Sequence, residues 1–175
     1  MTIDTLIRSI SNYPKPGIIF RDVTTLIKDS IGFNLAVKQI CSQCSGLRID
    51  KVAGIEARGF IFGAAIANQL GLGFIPMRKK GKLPSDTIGC DYALEYGFDR
   101  IEIHIDAISN GENILLVDDL IATGGTANAA VQLIEKCGGV ITACAFVVDL
   151  PELGGSEKLK KAGHFVFSLT KFDGH

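Results

Sequence analysis

The chain has 175 residues, 47% of them hydrophobic, and 18 Lys and Arg stand against 19 Asp and Glu for a formal net charge of −1. That length suits one domain, burying about 70% of the surface its unfolded chain exposes. The near-neutral balance excludes a general nucleic-acid or membrane-surface binder, and no apolar run approaches the ~20 residues of a membrane span.

The opening stretch, MTIDTLIRSISNYPKPG, does not join a basic start to a continuous apolar run, so a cytoplasmic protein without a secretory signal is expected. Residues 14–22, PKPGIIFRD, read as a rigid loop. Phe20 there could stack on a purine while the backbone of Ile19 and Arg21 reads its edge. By composition alone a proline-rich loop packed on the core is the commoner reading, and composition identifies no base. Helical spacing follows from Phe33 to about Cys44, with Leu35 off the stripe. Val37, Ile40, Cys41 and Cys44 share its buried face, so this C-x-x-C reads as core rather than as a redox or zinc motif. All five cysteines are expected to be core residues.

A short strand over residues 51–55 ends in Glu56-Ala57-Arg58-Gly59, and FIFGAAIANQLG forms a helix closed by Gly71. Residues 73–76 read as the next parallel strand, with Pro76 ending its ladder. Residues 77–97 fit neither period and read as a mobile lid or flap. Strict alternation resumes at Ile101, with Glu102 and His104 on the outward face.

The most informative segment is ILLVDDLIATGGT, residues 114–126. Four apolar residues run into Asp118 and Asp119, as in a parallel strand buried on both faces whose acids lie at its carboxyl end. The loop Ala122-Thr123-Gly124-Gly125-Thr126 then aims free N–H groups at the mouth of a helix, where the dipole also favours an anion. Further strands over 140–148 and 165–169 flank a polar helix at 154–163. The result is an α/β fold of five or six core strands, mostly parallel, with helices on both faces.

Carboxylates beside a phosphate cradle suit a ribose 5-phosphate. Glu56 to Gly59 reach the same sheet edge, where Gly59 permits close approach and Arg58 offers a fork of donors. Arg78, Lys79, Lys80 and Lys82 place four cations within five residues after the next strand, a run that is usually solvated surface but whose place at a strand end points toward pyrophosphate.

Residues 114–126 resemble the phosphoribosyl pyrophosphate signature of the type I phosphoribosyltransferases. The ordered set PKPGIIFRDVT, GIEARGFIFG, PMRKKGKLP, ALEYG, VDDLIATGGT and DLPELGG is similar to the adenine phosphoribosyltransferase family over nearly the whole chain. The resemblance implies one domain, residues 1–175, with a base-binding hood at about 1–32 and a flexible flap at about 77–100. It implies phosphoribosyl transfer to adenine with Mg²⁺, giving AMP and pyrophosphate, by a homodimer that binds neither nucleic acid nor membrane.

Asp118 and Asp119 then hold the ribose hydroxyls, and Ala122, Thr123, Gly124, Gly125 and Thr126 hold the 5-phosphate. Ala57, Arg58, Gly59, Arg78, Lys79 and Lys82 go with pyrophosphate. Ile19, Phe20, Arg21 and Leu120 go with adenine. Glu95 is the expected proton-transfer residue and Arg58 the second catalytic one, while no protein ligand set is expected for the metal. A cis Glu56–Ala57 peptide is a further implication. The chain departs from the family's D-I-T-P-L-L at Asp22-Val23-Thr24-Thr25-Leu26-Ile27. Rival readings are a xanthine or hypoxanthine/guanine phosphoribosyltransferase, or a non-catalytic regulator of the same fold.

Overall fold

The computed structural model describes residues 2–94 and 96–174. A hairpin of Arg8–Ser11 (β1) and Ile19–Asp22 (β2) leads into helices Thr24–Lys28 (α1) and Ser30–Gln43 (α2). Lys51–Ile55 (β3), Arg58–Leu70 (α3) and Gly73–Lys79 (β4) follow, then Thr87–Ala93 (β5), Phe98–His104 (β6) and Asn113–Ile121 (β7). Gly125–Lys136 (α4), Val140–Asp149 (β8), Gly155–Lys161 (α5) and Val166–Lys171 (β9) complete the order.

Seven strands form one sheet in the order β5-β6-β4-β3-β7-β8-β9. The five from β4 to β9 are parallel, and β6 and β5 add an antiparallel edge. The period-2 pleat of β7 explains why helices cover both faces. Ile114 and Leu116 join the cluster that holds Ala130 and Ile134 of α4. Leu115 and Val117 join the one that holds Phe62 and Ile66 of α3 and Ile40 of α2. Asp29 caps α2 by accepting from Gly32 N–H at 2.7 Å, and Gly71, at φ +70°, closes α3 as its sequence predicts.

Four expectations change. Pro76 does not end its strand: β4 continues to Lys79. Met77 carbonyl accepts from Glu56 N–H, so the proline nitrogen turns away from β3, on the side where pairing with β6 begins only at Arg78. Residues 77–97 are not irregular throughout: they hold the end of β4 and all of β5, which pairs with β6 from Thr87↔His104 to Ala93↔Phe98. Glu102 keeps the face opposite Ile101 and Ile103, as read, but is buried there, 8% exposed, rather than open to solvent. Arg100 lies over Gly89 with Nε 3.3 Å from Glu102 Oε1, and Gly81 N–H donates to Oε2. Finally, Cys44 and Cys144 are buried as expected, whereas Cys41, Cys90 and Cys137 are only half-buried.

Candidate active site

Strands β3 and β7 lie side by side, with Gly54 opposite Val117, so the turn after β3 and the end of β7 meet at the carboxyl edge of the sheet. A cleft of ≈ 470 Å³ opens there. It is lined by Ala57 and Arg58 from that turn, Lys79 from the end of β4, Asp118, Asp119 and Leu120, and the loop from Ala122 to Thr126. The Glu56–Ala57 peptide is cis.

The loop is shaped by backbone contact. Gly124 has φ +85°, and Gly155 N–H at the start of α5 donates to Ala122 carbonyl at 2.9 Å. The two glycines touch so closely that a Cβ on Gly124 would lie 2.8 Å from Gly155 Cα. No side chain caps the N-terminus of α4. Its first N–H groups therefore face the cleft with the positive end of the helix dipole, a cradle for phosphate.

The acids differ although they are adjacent. Both lie within β7, which runs on to Ile121, rather than beyond its end. Asp119 is 5% exposed and its Oδ2 accepts a hydrogen bond from Arg58 Nε. Asp118 Oδ1 accepts from Asp119 N–H at 2.8 Å. Burial, and then the neighbouring Asp119 carboxylate, push the Asp118 carboxyl well above its ordinary range. Burial works against the charge on Arg58, but Asp119, Asp118 and Asp22 outweigh it and hold the guanidinium protonated.

The close approach at Gly59 is to β7: a Cβ there would sit 2.7 Å from Asp118 Oδ1. Arg58 also links the acids to the N-terminal hairpin, its guanidinium carbon 5.9 Å from the centre of the Phe20 ring. Phe20 packs edge-on against Tyr13 at 5.2 Å. Arg21 turns elsewhere, donating to Ser9 Oγ and Asp173 carbonyl while its guanidinium lies 4.4 Å over Phe172.

Two expected cations lie outside the cleft lining. Arg78 Nε is 3.4 Å from Glu56 Oε1, and Lys82 is exposed in the turn after β4. Glu95 lies outside the described residues. Tyr92, Leu94 and Asp99 escaped the sequence reading, and Glu56, placed at this edge, has no role in it. Glu56 accepts from Lys79 N–H at 2.6 Å. Tyr92 and Leu94 line the cleft, and Tyr92 hydroxyl donates to Asp99 Oδ2 at 3.1 Å. Asp99 also pairs with Lys79 Nζ, which, with Arg100 N–H, holds its carboxyl below the usual range. The signal for Tyr92 is present in the alternation of Ile88, Cys90, Tyr92 and Leu94.

Residues 24–172 match the Phosphoribosyl transferase domain family. The adenine phosphoribosyltransferase of Methylobacillus flagellatus is 60% identical over 173 residues, spanning 99% of this chain and 98% of that one. The chain belongs to this family, in its adenine phosphoribosyltransferase branch. The crystal structure of the Thermoanaerobacter pseudethanolicus adenine phosphoribosyltransferase matches with a TM-score of 0.93 at 45% identity, covering 97% of this chain and 98% of that one. The Saccharomyces cerevisiae enzyme, complexed with an imino-altritol bisphosphate and adenine, matches with a TM-score of 0.89 at 36% identity over 96% of each chain. The sheet and its helices are thus a type I phosphoribosyltransferase fold.

Proposed function

We propose that this chain transfers the phosphoribosyl group of 5-phosphoribosyl 1-pyrophosphate to adenine, giving AMP and pyrophosphate in purine salvage. The observation that carries the proposal is one cleft joining an uncapped helix mouth, an acid pair and two cations, Arg58 and Lys79. The 5-phosphate sits on the loop from Ala122 to Thr126. Asp118 and Asp119 grip the ribose hydroxyls and stabilise the positive charge that develops at C1. Arg58 and Lys79 receive the departing pyrophosphate, with Gly59, Arg78 and Lys82 around them.

Adenine is assigned to the hood formed by the β1–β2 hairpin and α1, between Phe20 and Leu120, with the backbone of Ile19 and Arg21 at its edge. Residues 1–23, which carry Phe20, lie outside the general domain match, yet relatives of the adenine branch align across them. This favours adenine over xanthine or hypoxanthine and guanine. The attacking nitrogen must lose a proton, and Glu95 on the flap is proposed to accept it. Glu95→Ala is expected to lose turnover far more than donor affinity.

Magnesium belongs to the donor in this reading. Asp119 is engaged by Arg58, and burial works against a charge on Asp118, so the pair makes a poor resident cation site, and the metal's ligands would be substrate oxygens. Bound there, it would neutralise charge on the leaving group. A cytoplasmic homodimer completes the proposal. No described helix is long and apolar enough to cross a membrane.

The test mixes the protein with the donor, Mg²⁺ and each purine in turn and measures pyrophosphate release. Adenine alone should turn over rapidly. Turnover with hypoxanthine or xanthine but not adenine would overturn the specificity, and none with any base would favour the regulator.

A further inference from the structure

Lys79 is the cleft's second cation, but its ammonium is not free. It is paired with Asp99 Oδ2, from the strand next to its own, and that same oxygen accepts from Tyr92 hydroxyl at 3.1 Å. The other oxygen, Oδ1, accepts from Arg100 N–H at 2.8 Å. Cross-strand register fixes the arrangement, since Tyr92 stands opposite Asp99 in the β5–β6 hairpin and Lys79 opposite Ile101 in the β4–β6 ladder. Tyr92 also lines the same cleft as Thr126, at the mouth of α4. Asp99 is thus held in place from both oxygens, while the lysine, its side chain 55% exposed, has freedom to leave.

We propose that Asp99 is a positioning residue that serves as the resident counter-ion of Lys79, occupying the ammonium until a diphosphate displaces it and reclaiming it when the diphosphate departs. The inference rests on the cleft's reading as a phosphoribosyl pyrophosphate site.

Two effects follow from Asp99 in that position. Lys79 must exchange one anionic partner for another, so the net gain on binding is less than a free ammonium would give. The fixed carboxylate also repels a polyanion in the same cleft. Both weaken diphosphate binding and hasten its release. Against them stands the restraint Asp99 puts on a flexible lysine, whose loss costs some order. Removing a full charge beside a polyanion outweighs the freeing of one side chain, so loss of the Asp99 charge should tighten binding.

The experiment is titration calorimetry of inorganic diphosphate with the wild type, Asp99→Asn and Asp99→Glu, with ribose 5-phosphate as the second ligand. Asparagine can keep its one oxygen toward Arg100 N–H and turn its amide N–H to the Tyr92 oxygen, and circular dichroism checks the fold. Asp99→Asn should bind diphosphate about three- to ten-fold tighter, on the scale of a half-exposed ion pair, with ribose 5-phosphate affinity unchanged. In steady state its KM for the donor and its kcat should both fall, with KM for adenine unmoved, as slower release predicts. Asp99→Glu should return toward wild type. Equal or weaker diphosphate binding by a folded Asp99→Asn, or a glutamate that behaves like the asparagine, overturns the inference. A wild type that binds neither diphosphate nor donor overturns the phosphoribosyl reading itself.

Discussion

At the scale of single residues, Asp118 and Asp119 show how one motif divides its labour. A carboxyl raised by burial binds its proton more tightly folded than unfolded, so its contribution to stability is fullest below the unfolded value and declines as pH rises toward the folded one. Asparagine mimics the protonated acid and keeps the oxygen that accepts from Asp119 N–H. Asp118→Asn is therefore expected to hold or raise the stability of the free protein at pH 7, by a gain on the order of 1 kcal/mol, while weakening donor binding. Asp119→Asn should cost about 1–3 kcal/mol, because it breaks a charge-assisted bond to Arg58. Urea denaturation at pH 7 checks both, and equal losses would show that the two acids share one environment. The acid pair was legible from residue type and place alone. Their inequality was not, because it depends on Arg58, which stands 61 positions away.

At the scale of elements, local pattern revealed what local pattern encodes. The buried run of β7, the cap at Gly71 and the face of α2 were legible, since each depends on neighbours within one or two turns. Pro76 was misplaced because a proline's cost depends on which side of the strand its nitrogen faces, and only pairing decides that. The alternation of Ile88, Cys90 and Tyr92 marks β5 but sits inside a stretch rich in Gly, Lys and turn residues, and the burial of Glu102 was missed because it depends on the Arg100 and Gly81 that cover it. The join between the loop from Ala122 to Thr126 and α5 was equally invisible, and it makes a sharp prediction. Gly155 has no left-handed φ, so alanine suits its helical backbone and would gain at most ~1 kcal/mol of propensity. Its Cβ, however, would lie 2.4 Å from Ala122 carbonyl oxygen and 2.6 Å from Gly124 N. Backbone on both sides leaves no cheap relief, and overpacking costs about 1–3 kcal/mol. Gly155→Ala should thus lower the melting temperature and weaken ribose 5-phosphate binding at least ~10-fold by moving the cradle, although the residue does not line the cleft. Wild-type affinity by calorimetry would show that the loop is shaped by its own sequence.

At the scale of the whole molecule, the cleft exists because the sheet gathers distant segments at one edge, and the N-terminal hairpin, the proposed hood, must then be held beside that edge. Its two-stranded sheet shares no strand with the seven-stranded one. Polar contacts over long sequence distances supplement the apolar packing: Arg21 reaches Asp173 across 152 positions, and Asp22 binds Arg8 Nη2 at 2.5 Å while Oδ1 accepts from Thr24 N–H at 2.9 Å and Oγ1 at 2.7 Å. Thr24 first, then Arg8, draw the Asp22 carboxyl down from 3.8 to about 2. A carboxyl lowered by folding contributes stability that is fully present above its unfolded value and is lost as pH falls through its folded one. The hood anchor should therefore hold from neutrality to about pH 4 and fail between about pH 4 and pH 2. Asp22→Asn cannot titrate, so the gap between its urea midpoint and that of the wild type should be constant above that window and shrink within it. Phe20 belongs to the same strand, so adenine affinity at neutral pH should drop in the variant while ribose 5-phosphate affinity persists. A gap that stays constant down to pH 2 would mean that the hood is held by shape and apolar contact, not by the charge of Asp22.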